Sequence, residues 1–160
     1  MEQVMDKIIS EIEELKATDE FVQVMDIQTD VKFEDPGLVV VAEYPYIFVS
    51  PLSESPVSDT LGRAGYDVRR LEIAIGIVIN AADYFDYTVS EAAGVRQLVQ
   101  SSTLLRERLR RLSKRNLDGL AGVRNVVVLS TSYVPDLRDQ TFVRVAVTNI
   151  SVERQYQHEE

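Results

Sequence analysis

The sequence predicts an α+β fold: a mostly antiparallel sheet packed against one long helix, with an N-terminal amphipathic helix and a long β-hairpin arm. Three observations predict it. In "RRLEIAIGIVIN", Leu71, Ile73, Ile75, Ile77 and Ile79 share one parity, and Arg70, Glu72, Ala74, Gly76, Val78 and Asn80 take the other. That is the period of a strand with one core face. Leu98, Leu105, Leu109 and Leu112, joined by Val95 and the small Ser102, fall on a single helical stripe that needs a sheet to cover it. The stretch "EYPYIFVSPLSESPVSDTLGRAGYD" begins as a strand and then runs into Ser, Pro, Gly and acid. It far exceeds the roughly two to five residues of an ordinary hairpin connection.

The elements follow in order. Val4, Ile8, Ile12 and Leu15 recur at helical spacing while Glu2, Asp6, Glu13, Glu14 and Lys16 lie mostly elsewhere on the wheel, so a helix ends near Ala17. Phe21–Ile27 reads as a short strand, and Val31–Asp35 suits more than one conformation. The Asp35-Pro36-Gly37 turn leads into "LVVVAEYPYIFVS", in which Pro45 belongs at an edge, a bulge or a strand start because it has no N–H for the ladder. Residues 50–68 form the extended arm, and the alternating strand Arg69–Asn80 follows it. Tyr84, Phe85 and Tyr87 either plug the strand-to-helix corner or anchor an interface. Ser90 with Glu91 opens the long helix, and the Gly119–Gly122 region closes it. The chain finishes with "VRNVVVLSTSYV", the turn "PDLRDQ" and "TFVRVAVTNISVERQY". Val143, Val145 and Val147 alternate there before Ile150 and Val152 switch parity, which predicts a bulge near Asn149 or a strand end. Residues 154–160 are expected to be a flexible tail. With no internal repeat or linker, 1–160 is read as a single domain.

Composition narrows the chemistry. A chain of 160 residues can bury roughly 68–70% of the surface its unfolded form exposes, enough for its own core. No apolar run approaches the roughly 18 residues of a membrane span, and "MEQVMDKIISEIEELKA" lacks the basic-then-apolar order of a signal peptide. Neither is expected. The absence of cysteine removes disulfides and thiolate metal sites, and the single histidine, His158, reads as a solvated terminal residue. No metal or cofactor is expected. A formal charge of −9 argues against wrapping nucleic acid, which draws on a surplus of Lys and Arg.

Catalytic patterns are also missing. No glycine arrangement resembles a nucleophile elbow or a phosphate loop, "LGRAG" is only a flexible segment, and Glu91 is accounted for by the helix dipole. No catalytic residue is expected. The conspicuous cluster is the basic run Arg106, Arg108, Arg110, Arg111, Lys114 and Arg115. It reads as a solvated helix face, as an inter-subunit seam against the acid-rich first helix or arm of a neighbouring copy, or as a contact with nucleic acid passing nearby.

The order of these elements resembles the tail terminator and tail-completion proteins of long-tailed viruses of prokaryotes. The matching features are the helix Met1–Ala17, the "EYPYIFVSP" strand, the arm Ser50–Val68, the strand Arg69–Asn80, the single long helix and a final hairpin with a "VPDL" turn. The likeness is one of element order over nearly the whole chain. It implies a structural virion protein without catalysis: a ring, sixfold in that family, at the head-proximal end of the tail tube. The implied partners are further copies of itself, the tail tube protein and a neck or head-completion protein, with genome DNA passing through unread and no membrane involved. The implied location is the virion's tail-neck junction, after assembly in the host cytoplasm. On this reading the arm residues Pro51, Leu52, Ser53, Glu54, Val57, Asp59, Leu61, Arg63 and Tyr66 form an assembly interface, and Arg106, Arg110, Arg111, Lys114 and Arg115 an inter-subunit face. Another neck ring protein shares parts of this pattern. Two further classes compete: a small non-viral α+β binding module with an apolar pocket, and a carboxylate-based hydrolase with neighbouring buried acids.

Overall fold

Alternating side chains build a five-stranded sheet of order β1-β2-β3-β5-β4. A computed structural model of the chain describes residues 1–17, 31–32, 46–57, 66–80, 93–138 and 141–157. The strands are β1 (Val31–Lys32), β2 (Tyr46–Pro56), β3 (Tyr66–Asn80), β4 (Val123–Arg138) and β5 (Thr141–Gln157). All neighbours pair antiparallel except β1, which runs parallel to the start of β2 through Val31↔Ile47 and Lys32↔Phe48. The helices are α1 (Glu2–Lys16), α2 (Ala93–Lys114) and the short α3 (Asn116–Gly119). The chain is thus α+β, an open and mainly antiparallel sheet with helices.

The core lies where the α1 and α2 stripes meet one face of the sheet. Val4, Ile8 and Ile12 of α1 and Leu105, Leu109 and Leu112 of α2 cluster with Ile47, Val49, Leu71, Ile73, Ile75, Ile77, Ile150 and Val152. Burying each such side chain is worth roughly 1.5–3 kcal/mol, so this face dominates stability. A smaller cluster of Phe48, Ala74, Val78 and Val145 occupies the opposite face of β2, β3 and β5.

That second face overturns the expected irregularity in the last strand. β5 pairs with β3 in unbroken register from Val143↔Asn80 to Gln157↔Tyr66, so no bulge interrupts it at Asn149. Val145 packs on the second face, while Ala146, Ile150 and Val152 point to the helices. Two half-occupied apolar faces had the look of a parity switch. The irregularity lies instead on β4, whose register shifts between Val128 and Thr131, opposite Asn149, and again between Val123 and Asn125.

Other boundaries move as well. The stretch 50–68 is not a loop throughout: Ser50–Pro56 continue β2 and Tyr66–Val68 open β3, paired as far as Pro56↔Arg69. Pro51 and Pro56 fit there because β1 pairs only Ile47 and Phe48, leaving the far end of β2 an edge among the described residues, where a missing N–H leaves no gap in the ladder. The "PDLR" segment is strand, and the last hairpin turns between Arg138 and Thr141. Arg154–Gln157 belong to β5, and Arg154 is buried, which removes them from the expected flexible tail. The long helix ends at Lys114, before the glycines. Asn116, Leu117 and Asp118 then take left-handed φ values of 49°, 54° and 56°, an arrangement that costs roughly 1–2 kcal/mol per residue. Full burial of Leu117 holds this turn in place.

Phe21–Ile27, the Asp35-Pro36-Gly37 turn, Pro45, Tyr84, Phe85, Tyr87, Ser90, Glu91 and His158 lie outside the described residues. Among the described residues no helix is long and apolar enough to cross a membrane.

Candidate functional site

The hairpin β2–β3 carries the first group of candidate residues. From Pro51 to Pro56 every β2 residue is exposed, and the register slips between Pro51 and Ser53, leaving Leu52 54% exposed. A bulge beside a proline lifts that apolar side chain away from the ladder. Ser53 Oγ donates to Glu72 Oε2 at 3.3 Å. Glu54 lies 3.4 Å from Arg69, whose Nε donates to Asp67 Oδ2 at 2.6 Å. The Asp67 hydrogen bond and charge raise the Arg69 guanidinium above its ordinary value. Val57 N–H donates to the Val68 carbonyl, closing the ladder beyond Pro56. Tyr66 opens β3 opposite Gln157, and Asp59, Leu61 and Arg63 lie outside the described residues. The β2 side of the distal hairpin is therefore a polar, cross-linked edge with one protruding apolar residue, while on its β3 side Asp67 and Val68 are buried between β2 and β5.

The basic run of α2, with Arg115 just beyond its end, divides into two sets. Arg108 and Arg115 face α1 of the same chain: Arg115 Nη2 donates to Glu11 Oε1 at 2.5 Å, and Arg108 Nη1 lies 3.7 Å from Glu11 Oε2 and 3.5 Å from Glu14 Oε2. Arg115 Nε also donates to Asp118 Oδ1 at 2.7 Å, and that bond, opposed by desolvation and helped by the Glu11 charge, raises its guanidinium value. The acid-rich first helix does meet these two arginines, but within one chain. Arg106, Arg110, Arg111 and Lys114 form no ion pair among the described residues; Arg106 is half-buried and the other three are exposed.

Sequence patterns overlooked two features. Glu11 sits in the apolar stripe of α1, three residues after Ile8 and four before Leu15, and is only 5% exposed; a carboxylate at such a position signals a buried partner. The other is β4, which has a neighbour on one side only among the described residues and exposes Val127, Leu129, Tyr133 and Val134. Tyr133 Oη shares a hydrogen bond with Ser102 Oγ of α2 at 2.8 Å, and Ser113 Oγ donates to the Val126 carbonyl, so α2 lies along this edge. Among the described residues no cluster of His, Cys, Asp or Glu could hold a metal ion.

No protein-family model matches the chain, and no curated protein matches its sequence.

Proposed function

We propose that the protein is a structural subunit of a ring at the head-proximal end of a viral tail tube, ending tube growth and joining the tail to the head or neck. The observation that carries this reading is the outer half of β2, Pro51–Pro56, which is exposed throughout and contributes nothing to the core, although the β3 strand it pairs with lies between β2 and β5 and is partly buried there. An edge segment of that kind adds ordering cost without core burial of its own, and a partner that it grips supplies the offsetting contacts. A second, different surface, the apolar edge of β4, supports the same reading. A ring built from one repeated heterologous contact needs two unlike faces on each subunit. The partners on this reading are further copies, the tail tube protein and a neck protein, and the work is positioning without catalysis. A chain of charge −9 around a channel would let DNA slide without gripping its phosphates.

Purified protein mixed with bare tail tubes tests the proposal by negative-stain imaging and light scattering. A ring seated on one end of each tube is expected. A monomer that leaves tubes undecorated would overturn it, and a ring that binds portal complexes instead of tubes would reassign it to another neck station.

A further inference from the structure

The helix layer carries opposite charge on its two outer flanks. At 100° per residue, the side of α1 turned away from the Glu11 and Glu14 contacts presents Glu2, Asp6 and Glu13 around Ile9. The side of α2 turned away from α1, next to β4, presents Arg106, Arg110 and Lys114 beside the exposed Val99. Contacts fix these orientations: Arg108 and Arg115 reach α1, while Ser113 and Ser102 reach β4. Glu13 is bridged by Lys16, but Glu2, Asp6, Arg106, Arg110 and Lys114 make no ion pair among the described residues.

Like charges at i, i+4 weaken a helix, so the row Arg106, Arg110, Lys114 burdens α2; Glu107, three residues before Arg110, offsets it only in part, and no member of the row has an ion pair among the described residues. An acidic row of matching spacing would relieve it. Glu2 and Asp6 are also four residues apart, about 6 Å along the axis in both helices. The acidic row sits on the other flank of the same layer, so one subunit cannot bring the two together.

We infer that the acidic flank of α1 docks on the basic flank of α2 and the adjoining β4 edge of the next copy, head to tail. The apolar complement is Ile9 on one side and Val99 with Tyr133 on the other. This names the lateral contact of the ring and rests on that reading; its occupant is a second copy of the chain.

Charge reversal tests it by sedimentation at fixed moderate salt. E2K/D6K and R106E/R110E should each weaken self-association about tenfold or more, because either variant opposes like charges. The chain carrying all four substitutions should recover the wild-type assembly, since its flanks are complementary again. Helical signal and melting curves show that each variant is folded; for one that is not, the milder D6N and R110Q give the same comparison. Wild-type oligomers unaffected by either reversal would overturn this contact and leave the ring standing. A wild type that stays monomeric both alone and with tail tubes would overturn both.

Discussion

The ring of Phe48 lies directly over Gly76, its cross-strand partner, in the space a Cβ would occupy. The pair anchors the second face of the sheet, where Ala74, Val78 and Val145 join it. Gly76→Ala should displace the ring and destabilise the protein by about 1–3 kcal/mol, and Phe48→Ala by about 3–5 kcal/mol. Combining them should cost less than the sum, because removing the ring makes room for the methyl group. Urea denaturation of the three variants measures this; strict additivity would contradict the packing.

Glu11 ties α1 to α2 from a buried position, with Arg108 and Arg115 both more exposed than it is. Removing both arginines strands a buried carboxylate and should lower the melting temperature, whereas Glu11→Leu lets them turn to water. Glu11→Leu added to the double arginine variant should therefore raise its melting temperature. A further drop would show that Glu11 is not held by these partners.

Ile75 is fully buried between Val49 of β2 and Thr148 of β5. Ile75→Asp should abolish cooperative folding, since an unpaired buried charge costs several kcal/mol. An unchanged melting curve would displace Ile75 from the core.

The pairing of β2 with β3 is described as far as Val57, and residues 58–65, between it and Tyr66 in the sequence, lie outside the described residues. Replacing 58–65 with a short Gly-containing link should change stability by less than about 1 kcal/mol, because loop length acts slowly on closure entropy. If the proposed ring function holds, capping of tail tubes should nevertheless fail, leaving filled heads beside unjoined or overlong tails. Normal virions from the shortened protein would remove residues 58–65 from assembly.

Pro51 and Pro56 withhold two donors from a stretch of β2 that has no partner opposite β3 among the described residues. Changing both to Thr should open that stretch to indiscriminate strand pairing, seen as heterogeneous large species in light scattering with little change in melting temperature. A uniform size distribution identical to wild type would show that the prolines do not guard the edge.

Periodicity alone determined the elements whose residues sit on one apolar face: the Val4–Leu15 stripe, the odd-numbered isoleucines of β3 and the leucines of α2. Backbone geometry places every second or every third to fourth side chain together whatever the rest of the chain does, so these patterns are legible locally. Tertiary structure decided the rest. Two apolar faces on β5 masquerade as a slip at Asn149, because parity cannot say which face a neighbouring sheet or helix covers. Strand pairing carries the polar Ser50–Pro56 into the ladder because β3 supplies partners for its backbone. The division of the basic run depends on Glu11, 104 residues from Arg115, and charge composition is silent about which carboxylate folding will bring within reach.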